Sequence, residues 1–183
     1  MKPVFYPSRS IVSILIALLP LMWLTSCNNE DDVIIWDMYP VNVMIHIQDA
    51  DGNNLLSPNF NGNILGKKIV AIYQGKEYEL EWDNNNKTRY YAPSFTGLTL
   101  KQGYSETEEG YEPDPNKQYL NFGEFDGAEN QNITLLLRIE DVSENWDISV
   151  RHNIKWKGNT PKVTNTATLN GEKVSYDNIT III

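Results

Sequence analysis

The chain has 183 residues, with 15 Lys and Arg against 24 Asp and Glu, two His and one Cys, and a net charge of −9. That acid excess argues against nucleic acid, whose binding needs clustered Lys and Arg, and against a patch for anionic lipid. One cysteine excludes an internal disulfide scaffold, and the length suits a single domain with one core.

Lys2 and Arg9 give the chain a positive start, and Ile11 to Trp23 is an apolar run broken only by Ser13 and Pro20. A membrane-spanning helix needs about 20 apolar residues to cross roughly 30 Å of hydrocarbon, so this run is too short. It fits the charged first part and short apolar core of an export signal instead. The tetrad Leu24-Thr25-Ser26-Cys27 then resembles the lipobox of bacterial lipoproteins, in which the cysteine sulfur is diacylated before cleavage. The resemblance implies a signal peptide over 1–26 and a mature chain that starts at Cys27, a lipid anchor on the membrane. Loss of Lys2 and Arg9 takes the net charge from −9 to −11. Each buried methylene contributes about 0.8 kcal/mol, so two or three acyl chains on Cys27 would make release negligible.

Residues 27–36 read as an acidic tether. Asn28, Asn29, Glu30, Asp31 and Asp32 have the composition of a solvated linker. They also resemble the surface-export tag of Bacteroidetes lipoproteins, which places acids just behind the lipidated cysteine. That resemblance implies an outer-membrane protein exposed at the cell surface.

From residue 37 to 183 the pattern is that of one β domain. Val41, Val43, Ile45 and Ile47 alternate with Asn42, Met44, His46 and Gln48, the signature of a half-buried strand. Asp49, Asp51 and Asn53 follow, three oxygen-bearing residues at alternate positions, as in a calcium loop. The EF-hand pattern also requires Gly at its sixth place and Glu at its twelfth. Here those places hold Asn54 and Phe60, and a turn built on Asp and Gly accounts for the residues equally.

The segment from Trp36 to Val41, the strand, and Asp49 to Leu56 together resemble small surface lipoproteins of Bacteroidetes. There, a strand, a D-x-D-G-N turn and a later apolar strand ending in a Gly turn open a prealbumin-like or immunoglobulin-like sandwich. The resemblance covers roughly residues 24–82 and implies a cell-surface β domain, with no catalytic residue to carry over.

Ile69 to Tyr73 and Lys76 to Trp82 form the next strands, joined by a two-residue turn at Gln74-Gly75, with Tyr78, Leu80 and Trp82 on one face. Gly103 to Gln118 is the longest stretch without strand pattern, rich in Glu and Pro, and is expected to be a long loop. Leu135, Leu137 and Ile139 share one strand face; Trp146, Ile148, Val150, Ile154 and Trp156 share another. Asn170-Gly171 is the strongest hairpin signal, and it predicts Leu169 opposite Glu172 and Ala167 opposite Val174. Ile179 to Ile183 is β-branched throughout and calls for a sheet partner. No comparable segment shows a 3.6-residue apolar period. The fold class is therefore all-β, an antiparallel β-sandwich of eight or nine short strands.

Little in the chain speaks for catalysis. His46 falls on the polar face of its strand, and His152 at core parity, as a hydrogen-bonded core or sheet-end residue. Neither has the spacing of a zinc site, no nucleophile elbow or phosphate-binding glycine loop occurs, and no cofactor is predicted. Aromatic residues are the better lead, since a flat ring matches the apolar face of a sugar. Trp82, Trp146 and Trp156 have core parity. Trp36 and the Tyr90-Tyr91 pair have weaker core claims, and Tyr104, Tyr111 and Tyr119 are the candidate ligand-binding rings. The expected role is non-catalytic: binding an extracellular ligand such as a glycan. The alternative is an accessory component of a fimbria-like surface assembly, meeting an envelope protein through the C-terminal strand.

Overall fold

The structure is a computed structural model that describes residues 38–82, 95–108 and 110–183. The candidate lipid anchor Cys27, the signal peptide, the acidic tether, Trp36 and the Tyr90-Tyr91 pair lie outside the described residues.

Alternation along the sequence becomes two β-sheets enclosing one apolar core. The strands are β1 (Val41–Gln48), β2 (Ile69–Tyr73), β3 (Lys76–Glu79), β4 (Glu81–Trp82), β5 (Leu98–Thr107), β6 (Gly110–Phe125), β7 (Gln131–Ile139), β8 (Asn145–Lys157), β9 (Thr160–Leu169), β10 (Glu172–Val174) and β11 (Ile179–Ile182). One sheet has the order β11-β1-β6-β5-β4, the other β10-β9-β8-β7-β2-β3. In β1 the four β-branched residues are buried, while Asn42, Met44, His46 and Gln48 point away from the core. Ile133, Leu135 and Leu137 of β7 and Ile148 and Val150 of β8 meet them from the other sheet. Tyr73 and Tyr78 of the six-stranded sheet join Phe95, Phe122 and Phe125 in an aromatic cluster, with edge-on contacts of Phe122 to both tyrosines at 5.5 Å between ring centres. Each such pair contributes about 0.5–1.5 kcal/mol beyond area burial.

Most pairings are antiparallel, and the Asn170-Gly171 turn brings Leu169 opposite Glu172 and Ala167 opposite Val174 as its residues predict. Two pairings differ from the antiparallel expectation. β11 runs parallel to β1, with Ile45 opposite Ile179, and β4 runs parallel to β5. Lys76 to Trp82 is also not one strand. β3 pairs with β2, then the chain turns at Leu80, whose N–H donates to the Ile69 carbonyl, and β4 joins the other sheet. That change of sheet leaves Trp82 56% exposed rather than in the core.

The largest correction concerns Gly103 to Gln118, where Gly103–Thr107 and Gly110–Gln118 are strand. β5 and β6 continue past the body of their sheet as a two-stranded arm as far as Thr107 and Gly110. β8 and β9 form a second arm: β7 stops pairing with β8 at His152, and residues beyond it pair only with β9, out to Lys157 opposite Thr160. Trp156 sits on this arm and is 55% exposed, whereas Trp146, at the same parity but inside the sandwich, is buried.

Candidate functional site

The outward side chains of β1 form one wall of an open groove of about 720 Å³. Met44, His46 and Gln48 come from β1, Tyr119 and Lys117 from β6, Tyr104 from β5, and Asn53, Asn54 and Phe60 from the segment after β1. Such a volume lies within the range of small-molecule sites.

A bulge shapes the groove. Gln102 pairs with Gln118, but Gly103 pairs with Asp114, so Pro115, Asn116 and Lys117 are extra residues on β6. They fold over β5 at Gly103, where a Cβ would lie 2.5 Å from the Lys117 carbonyl oxygen, so only glycine fits without movement. Asn54 holds the bulge from the other side. Its Nδ2 donates to the carbonyls of Asn116 and Gln118, each at 2.9 Å, while its Oδ1 accepts the Leu56 N–H at 3.0 Å. The buried Ser57 hydroxyl donates to the Pro115 carbonyl at 3.0 Å. Asp114 closes the knot, accepting from the Asn116 N–H at 2.8 Å and from the Ser105 hydroxyl. The Ser105 hydrogen bond, followed by that of the Asn116 N–H, holds the Asp114 carboxyl below its ordinary range.

Two of the three candidate tyrosines meet here. Tyr119 is half-buried, with its ring centre 5.7 Å from that of His46 and the planes inclined by 35°. Tyr104 is 58% exposed on the same groove. Burial, reinforced by the neighbouring Tyr104 phenol, raises the Tyr119 hydroxyl above its ordinary value, and burial lowers the His46 imidazole. A neutral imidazole and a protonated phenol therefore line the groove at neutral pH, each able to donate and accept hydrogen bonds. Tyr111 is not brought in. It lies near the tip of the β5–β6 arm opposite Glu106 and is 74% exposed. All three tyrosines sit on strands rather than on a loop.

Asp49, Asp51 and Asn53 form a tight turn beside the groove. Asp49 Oδ1 accepts the N–H groups of Asp51 at 3.0 Å and Asn53 at 2.8 Å, and Oδ2 accepts Asn53 Nδ2 at 2.8 Å. These bonds, the Asn53 side chain first, lower the Asp49 carboxyl. Both carboxylate oxygens are thus engaged by amide donors, the geometry of an Asx turn. Among the described residues no cluster of three or more His, Cys, Asp or Glu could hold a metal ion.

Sequence reasoning missed His46, Asn54, Ser57 and Asn116 as parts of the site. The alternation of β1 does put Met44, His46 and Gln48 on one outward face, which was the available signal; the clamp on the bulge spans 58 to 64 positions and left none. In an acidic chain, no Asp or Glu lines the groove among the described residues. No protein-family model matches the chain, and no curated protein or solved structure is significantly similar to it.

Proposed function

We propose that this chain is a lipid-anchored outer-membrane lipoprotein, exposed at the cell surface, whose prealbumin-like or immunoglobulin-like sandwich binds an extracellular saccharide without transforming it. The observation that carries the reading is the joint placement of Tyr104, Tyr119 and His46 beside Asn53, Asn54 and Lys117 in one groove. Aromatic faces offer stacking for the apolar side of a pyranose, and amides, phenol and imidazole offer donors and acceptors for its hydroxyls. The lipobox resemblance at Cys27 supports the anchor, and the two-sheet architecture supports the sandwich. The alternative is an assembly role through the C-terminal strand, since β11 pairs with β1 along one side and is the outermost strand of its sheet.

A glycan array probed with the detergent-solubilised protein tests the reading. Binding to a subset of saccharides is expected. Tyr104→Ala and Tyr119→Ala should each weaken it about fivefold or more, taking as the scale the ~1–3 kcal/mol by which a nucleobase stacks on an aromatic side chain, while Tyr111→Ala should leave it unchanged. An array with no saccharide bound, or equal binding by all three variants, contradicts the proposal.

A further inference from the structure

The β8–β9 arm is two-faced. Ile154 stands opposite Val163 and Trp156 opposite Pro161, all at the parity of the core residues Val150 and Ala167, yet beyond the part of the sheet that the sandwich covers. Trp156 and Val163 are consequently 55% and 41% exposed. The other face carries Lys155 directly opposite Lys162, with Lys157 nearby. Facing like charges weaken a strand pair, and none of these lysines forms an ion pair among the described residues. A protein whose net charge is negative thus places three of its lysines on one face of the arm and an exposed tryptophan on the other.

The chain enters the described body beside this arm. Met38 and Tyr39 lead into the start of β1 and line one crevice with His152 and Val163 at the root of the arm. His152 Nε2 donates to the Gly127 carbonyl at 3.0 Å, and Gly127 packs so closely on the Tyr39 carbonyl that a Cβ would lie 1.9 Å from it. Tyr39, itself 87% exposed, is therefore beside the arm. Between Cys27 and Met38 lie only residues 28–37. A chain of that length spans at most about 36 Å, and the arm from His152 to Lys157 reaches about 17 Å at the rise of a β-strand. The groove lies toward the other end of β1, at His46 and Gln48.

We infer that the β8–β9 arm is a second membrane contact whose tip enters the headgroup layer end-on, Trp156 from one face and Lys155, Lys157 and Lys162 reaching lipid phosphates from the other, so that the groove is turned away from the bilayer. The inference rests on the proposed acylation of Cys27. Tryptophan favours the membrane interface, and lysine stems can bury while their ammonium groups stay in the headgroups. The acids near the arm among the described residues are Asp126 and Glu129 before β7 and Asp177 beside Tyr176, and the chain also carries Glu30, Asp31 and Asp32 between Cys27 and Met38. They oppose anionic lipid, which makes the tryptophan and the lysine cluster jointly necessary.

The test uses the full lipidated protein in vesicles of phosphatidylcholine and phosphatidylglycerol, with and without lipids brominated on the acyl chains. Brominated lipid should quench tryptophan emission, and Trp156→Phe should remove most of that quenching while the variant still floats with the vesicles. A Lys155→Glu, Lys157→Glu, Lys162→Glu variant should lower the quenching at least twofold. Equal quenching in wild type and Trp156→Phe, with Cys27 acylated by intact mass, overturns the inference alone. Cross-linking between copies at Lys155 with Trp156 unquenched also overturns it, and assigns the arm to a second copy. An unmodified Cys27 thiol with no flotation overturns the anchoring reading itself, and this inference with it.

Discussion

At the scale of single residues, position in the fold decides whether the same side chain is structural or available. His152 and His46 are the two histidines of the chain. The first is buried, with Nδ1 2.7 Å from the Asn165 side-chain amide and Nε2 donating to the Gly127 carbonyl. His152→Leu would leave that carbonyl without its donor, at about 1–3 kcal/mol of stability, measurable as a drop in the urea midpoint. His46 faces the groove, and burial depresses its pKa below the ordinary 6.5. Above pH 6.5 the ring is neutral in both folded and unfolded chains, so it contributes no pH dependence there. As pH falls below 6.5 the unfolded state takes up its proton first, and stability declines until the folded-state pKa is passed. His46→Gln should flatten that part of a stability-against-pH curve. Asp49 and Asp114 act in a lower window: their depressed pKa values stabilise the fold above 3.8, and that contribution is lost as pH falls through the folded values.

At the scale of elements, legibility in the sequence followed the number of faces a strand buries. β1, β7 and the inner half of β8 bury one face and show water the other, so their alternation is plain. The β10 register was legible because Asn170 and Gly171 both adopt the positive φ that the turn requires. The β5–β6 arm was not legible as strand, because both of its faces meet water beyond the sandwich and no apolar period is imposed. Its prolines sit where that edge tolerates them, Pro115 within the bulge. Parity misleads for two tryptophans as well: Trp156 lies beyond the part of its sheet that the sandwich covers, and Trp82 follows a turn at Leu80 that moves its strand to the edge of the other sheet. The bulge itself supplies a direct check on the groove. Gly103→Ala must push the Lys117 carbonyl away, so it should lower stability by about 1–3 kcal/mol and shift the amide resonances of residues 115–119. Unchanged resonances there would contradict the account of how the groove is shaped.

At the scale of the whole molecule, the parallel closure by β11 could not be read from periodicity, since a β-branched end calls for a partner without naming it. Ile179 and Ile181 are buried against β1 and the core. At about 1.5–3 kcal/mol for each fully buried side chain, deletion of residues 179–183 should remove roughly 3–6 kcal/mol and open Ile45 and Ile47 to solvent, detectable as a lowered melting temperature and increased binding of a hydrophobic dye. The same strand that closes the core leaves β1 with one function outward, the groove wall. The crevice beside the β8–β9 arm and the groove are thus lined toward opposite ends of β1, the first at Val41 and Asn42 and the second at His46 and Gln48.

The most direct measurement is a two-dimensional amide NMR titration of the isotope-labelled protein with pooled neutral and acidic oligosaccharides. Shifts confined to residues 44–60 and 103–119, with the β8–β9 arm unmoved, are the predicted result. Saturating saccharide that leaves those residues in place, or moves a different face of the protein, would contradict the saccharide-binding groove.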